Sequence, residues 1–83
     1  MQKRTIEIAL ANGFTYHESI EIFRKGRCQI ERNGSGPGYH VYCFSHVFGT
    51  PDNCLVRDVW VKGIHKAIEA ANDFNRGYFQ RPQ

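Results

Sequence analysis

The hydrophobic and polar positions of this chain change period twice, after Gly26 and again after Gly63, and the changes divide it into elements. The first stretch, Thr5-Ile6-Glu7-Ile8-Ala9-Leu10-Ala11-Asn12-Gly13, admits two readings. Ile6, Ile8 and Leu10 alternate as in a strand, whereas Ala9, Leu10 and Ala11 running into Asn12-Gly13 look like a short helix meeting its C-terminal stop. The helix is the expectation.

Thr15-Tyr16-His17-Glu18 then has the spacing of a capping box, in which a threonine hydroxyl and a glutamate three residues on satisfy each other's backbone amides. Tyr16, Ile20 and Phe23 fall on one helical face, Arg24 and Lys25 suit the negative end of a helix dipole, and Gly26 closes the element. This predicts a helix over residues 15–25. A competing pattern, Ile20 and Ile22 against Glu21 and Phe23, makes a strand hairpin turning at Lys25-Gly26.

Beyond Gly26 the period is two. Arg27 to Arg32 alternates, Asn33-Gly34-Ser35-Gly36-Pro37-Gly38 is an emphatic turn, and Tyr39 to Phe44 resumes as an aromatic and β-branched run. A second turn, Gly49-Thr50-Pro51-Asp52-Asn53, leads to a third strand over 54–61. After Gly63 the apolar positions Ile64, Ala67, Ile68, Ala71 and Phe74 recur as a narrow helical stripe, ended by Arg76-Gly77 and followed by an irregular tail over 78–83. The expected fold is therefore a single α+β domain over 1–83: a three-stranded antiparallel meander with helices on one face, in the order α-α-β-β-β-α. Residues 5–25 resemble the opening of a three-helix ubiquitin-binding module or of a helix-turn-helix, but the chain turns to strands where either would need a third helix.

Composition narrows the class. Eighty-three residues make one domain, and a 41% hydrophobic and 13% aromatic content is too high for a disordered chain. There is no run of eighteen apolar residues, and Met1-Gln2-Lys3-Arg4 leads straight into Thr5 without a secretion-type apolar stretch, so a cytoplasmic protein with no membrane partner is expected. Three cysteines, Cys28, Cys43 and Cys54, fit free thiols in a reducing compartment better than a disulfide framework. A net charge of +3 is too mild to name a partner class.

Candidate chemistry centres on His40-Val41-Tyr42-Cys43-Phe44-Ser45-His46. In a regular strand His40, Tyr42 and Phe44 share one face and Tyr39, Val41 and Cys43 the other, so His40, Cys43 and His46 converge on zinc only if a bulge intervenes and Cys28 or Cys54 completes the set. The plainer account, thiols as small hydrophobes and histidines at a sheet surface, is preferred, and no cofactor is expected. Nothing in the spacing of His17, His40, His46 and His65 selects a thiol nucleophile's base, nor do Glu18 with Glu21 or Asp52 with Asp58 form an acid–base pair, so no catalysis is expected.

The glycine loop, with Asn33, Gly34, Ser35 and Gly36 as its contact residues, leads into a strand and not a helix, which argues against a phosphate-binding motif and for an adaptable binding loop. Arg24, Lys25, Arg27 and Arg32 are expected to mark one edge where an acidic protein surface or a nucleic-acid backbone docks, beside the row His40, Tyr42 and Phe44. The expected function is a small non-catalytic binding protein that occupies a surface of a larger protein or nucleoprotein complex, in size and economy like accessory inhibitors encoded by phages. The alternatives are DNA or RNA binding through that basic edge and strand aromatics, and a small zinc module. A homodimer that covers an open sheet edge or apolar patch fits so short a chain.

Overall fold

Asn12-Gly13 does stop a helix. Gly13 adopts φ +88°, its amide donates to Leu10 O and that of Phe14 to Ala9 O, the paired bonds of a Schellman cap, and Phe14 is carried into the core. The computed structural model describes residues 1–77 and places α1 at Lys3–Ala11, β1 at Thr15–His17, β2 at Ile22–Lys25, β3 at Cys28–Arg32, β4 at Tyr39–Phe44, β5 at Leu55–Val61 and α2 at Ile64–Asn75. The five strands form one antiparallel meander in sequence order. The tail expected to be irregular lies outside the described residues.

The order α-α-β-β-β-α is therefore wrong at its second element, and the sheet has five strands where three were expected. Residues 15–25 form the hairpin β1–β2. The reason lies in what a hairpin does with the same side chains. Tyr16 and Phe23, seven residues apart, meet as cross-strand partners with ring centroids 5.1 Å apart, and Ile20 sits exposed in the connecting turn. A helix would have buried Ile20 and left the β-branched and aromatic residues without the pleated surface they fit. Glu18 serves no cap: its carbonyl accepts the amide of Glu21, which closes the turn at φ +54°.

The next turn is tighter. Lys25 pairs with Cys28, leaving Gly26 and Arg27 as a two-residue connection with Gly26 at φ +60°, the sign a type II′ turn needs at its first central residue. Asn75, at the end of α2, grips this turn: its Nδ2 donates to Lys25 O at 2.9 Å and its Oδ1 accepts from the Arg27 amide at 2.9 Å.

Both helices lie on one face of the sheet, α2 across β3 and β4 and α1 over β1. Phe23, Cys28, Ile30, Val41 and Cys43 point from the sheet into the core, met by Ala9 and Phe14 from the α1 side and by Ile64, Ala67, Ile68, Ala71 and Phe74 from α2. Ala67 and Ala71 are fully buried, so it is their small size that lets α2 approach the strands closely. Among the described residues no helix lies on the opposite face.

Candidate functional site

Strand register sorts the remaining side chains. On the face turned away from the helices one row runs His17, Ile22, Glu31, His40, Trp60 and the next runs Thr15, Arg24, Gln29, Tyr42, Asp58. His40, Tyr42 and Phe44 thus lie on the uncovered face, while Val41 and Cys43 are buried beneath α2. His40 and Tyr42 stack with their rings 11° apart and centroids at 5.7 Å, and His40 Nδ1 lies 3.5 Å from Asp58 Oδ1 without completing a hydrogen bond. Partial burial, helped by the Glu31 and Asp58 carboxylates, holds the Tyr42 phenol above its ordinary pKa, so it stays a neutral hydrogen-bonding group.

Phe48 joins this face from the β4–β5 loop, a residue that strand periodicity cannot reach. The loop is built around Asn53, whose Oδ1 accepts from the His46 amide at 2.8 Å and the Ser45 hydroxyl at 3.2 Å while its Nδ2 donates to Val47 O at 3.4 Å. Phe48 is thereby set edge-on to Phe44 at 5.2 Å, and the Arg24 guanidinium lies 4.4 Å from its ring centroid. Arg24 Nε also donates to Gln29 Oε1 at 3.1 Å, which fixes the cation over the aromatic pair. Trp60 was not among the sequence candidates either. Its position opposite His40 in β5 puts it on the same face, 45% exposed.

The other cations go elsewhere. Lys25 turns to the helix side, where Nζ donates to Asn12 O at 2.8 Å and Asn72 Oδ1 at 2.9 Å and lies 5.4 Å from the Phe14 ring centroid. Arg27 covers the Phe74 ring at 4.9 Å, while Arg32, at the far end of β3, lines a cavity of about 280 Å³ with Met1, Thr5, Tyr39 and Lys62. Adjacency in sequence thus becomes opposite faces and opposite ends. The four residues do not form one edge.

In the glycine loop the Asn33 amide donates to Gly38 O at 2.9 Å, its Nδ2 donates to Pro37 O at 3.2 Å, and its Oδ1 accepts from the amide and hydroxyl of Ser35. Gly34 and Gly36 face open space. The loop is seated on the aromatic face, because Trp60 Nε1 donates to Pro37 O at 3.2 Å.

Among the described residues no three or more His, Cys, Asp or Glu side chains gather where they could hold a metal ion. Cys28 and Cys43 are buried cross-strand partners with sulfurs 3.6 Å apart, and Cys54 is exposed. The hydrogen bond to Cys43, together with burial, pushes the Cys28 thiol well above its ordinary pKa. Iodoacetamide added to the native protein is therefore expected to modify Cys54 first, with Cys28 and Cys43 reacting only on unfolding. Peptide mass mapping checks this, and modification of Cys28 at the Cys54 rate would contradict the burial.

No family model matches the chain, and neither a curated protein nor a solved structure matches it. Among the described residues no helix is long and apolar enough to cross a membrane.

Proposed function

We propose that this chain is a non-catalytic binding protein that works by laying the open face of its sheet on a larger protein. The observation that carries this reading is the strip Arg24–Phe48–Phe44 and Tyr42–His40–Trp60, aromatic and only partly covered among the described residues, on the face opposite α1 and α2. Aromatic side chains and arginine are the residue types that anchor protein interfaces, because each offers a large contact area with few torsions to freeze. Glu31 and Asp58 lie among them, so the face is of mixed charge. That favours a protein surface over a polyanion. A nucleic-acid backbone asks for a continuous basic stripe, whereas only Arg24 of the four candidate cations is on this face.

The test is affinity capture from the native host with the wild-type chain and with Arg24→Ala/Tyr42→Ala/Phe48→Ala. A partner protein should be retained by the first and bound at least about 30-fold more weakly by the second, since anchor residues each contribute about 2 kcal/mol or more. Recovery of no protein, or undiminished binding by a folded triple variant, would refute the proposal. Salt-sensitive binding of DNA or RNA that is lost on charge reversal at Arg24 and Arg27 would point to the nucleic-acid alternative instead.

A further inference from the structure

Among the described residues β5 is one edge of the sheet, and the pattern of its hydrogen bonds shows what this edge offers. Across β3 and β4, Phe44 N donates to Arg27 O and Asn33 N to Gly38 O, so the even-numbered residues of β4 direct their backbone groups to β3 and Tyr39, Val41 and Cys43 direct theirs to β5. Their partners there are Val61, Val59 and Arg57. The amides and carbonyls of Asp58 and Trp60 therefore point outward. β5 is also the longest strand, seven residues, and contributes Leu55, Val56 and Trp60 to the exposed large hydrophobics, at 50%, 51% and 45%. Such an edge is a template for another strand. Beside it lies a groove walled by Trp60, Val61 and Lys62 of the strand and its exit and by Lys66, Glu69, Ala70 and Asp73 of α2.

We infer that the occupant is a second copy of this chain, its β5 antiparallel to the first across a two-fold axis at Val59 or Trp60, making a ten-stranded sheet. Symmetry and charge limit the register to these two axes. A two-fold perpendicular to the sheet keeps every side chain on its own face, so the axis must pass through a residue paired with itself. An axis at Asp58 sets two carboxylates opposite each other and one at Arg57 sets two guanidinium groups opposite each other, both unfavourable. An axis at Val59 pairs valine with valine, Asp58 with Trp60 and Arg57 with Val61, and one at Trp60 pairs Val59 with Val61 and Asp58 with Lys62, an opposite-charge pair; Val56, where β5 shifts register against Cys43 and Phe44, lies outside either ladder. Either axis puts Asp58 and Trp60, whose backbone groups point outward, in hydrogen-bonded positions across the seam. Either axis runs the two α2 helices antiparallel, which brings the Lys66 end of one toward the Asp73 end of the other.

This inference does not depend on the function proposed above. Sedimentation velocity over a wide concentration range should give twice the chain mass at the upper end. Hydrogen exchange should show the Asp58 and Trp60 amides protected in the dimer and becoming fast on dilution, while Val59, bonded within the chain, stays protected throughout. Asp58→Pro removes an outward amide together with the carboxylate near His40, and proline is tolerated on an edge strand, so it should give a monomer with an unchanged circular dichroism spectrum; Asp58→Ala, which removes the carboxylate alone, should still dimerise. Val47→Lys, at an exposed hydrophobic residue away from the edge, should also leave the dimer intact. A wild-type monomer at every concentration overturns the inference, whether its Asp58 amide is unprotected or is covered by a segment of its own chain. So does a dimer in which the Asp58 and Trp60 amides exchange freely.

Discussion

Phe23→Ala is expected to lower the midpoint of thermal unfolding by about 12 °C or more. Phe23 is fully buried in β2, packed on Tyr16 from β1 and facing the helices across the sheet. Truncating a core phenylalanine costs about 3–5 kcal/mol, from lost transfer energy and from the cavity left behind. A domain of this length has about 4–12 kcal/mol of stability in total, and each kcal/mol lost moves the midpoint by about 4–8 °C. The effect should exceed that of most core changes because the hairpin β1–β2 has little else in the core: Tyr16 is only partly buried, and Ile22 faces away from the helices. Phe23→Leu, which keeps most of the volume, should cost less than about 1.5 kcal/mol. Circular dichroism melts and urea titrations of the two variants check both values. A shift of a few degrees for Phe23→Ala would contradict the packing described.

Gly38→Ala is expected to cost about 3 kcal/mol, although the same change at Gly34 or Gly36 should stay within about 0.5 kcal/mol. The three glycines share one loop, and their surroundings differ. Gly38 has φ +102°, a region side chains rarely adopt, and a Cβ there would lie 2.7 Å from Val61 O and collide with the Trp60 indole. Neither the backbone carbonyl nor an indole already hydrogen-bonded to Pro37 O can give way cheaply. At Gly34 and Gly36 an added methyl group meets nothing within 4 Å. Comparing the three melts therefore separates a structural glycine from two permissive ones. Equal effects at all three positions would mean that Trp60 does not sit over the loop base.

How far the sequence reveals this architecture depends on whether the deciding contact is local. The stop at Asn12-Gly13, the strands after Gly26 and the apolar stripe from Ile64 to Phe74 are all set by neighbours within a few residues. Residues 15–25 are different. Their capping-box spacing and apolar triplet satisfy a helix, and what outweighs it is the cross-strand bonding of β2 to β3, which the local pattern does not show. The same limit applies to the site. Period two puts His40, Tyr42 and Phe44 on one face, but which face receives the helices is settled by Val41 and Cys43 fitting beneath α2. Phe48 and Trp60 were missed because a loop fold and a strand register place them. The supposed basic edge failed for the complementary reason: alternation sends Arg24 and Lys25 to opposite faces once residues 22–25 become a strand.

The grip of Asn75 on the β2–β3 turn also bears on the order in which the molecule assembles. A meander pairs each strand with the next, so nearly all of the sheet can zip from short loops with little entropic cost. The turn at Gly26 is the exception. Lys25 O and Arg27 N find their partner 50 and 48 residues further along, so this tight local feature is completed only when the end of α2 docks. Fraying of the last turn of α2 would thus be felt first at a hairpin bend that is nearly fifty residues away along the chain.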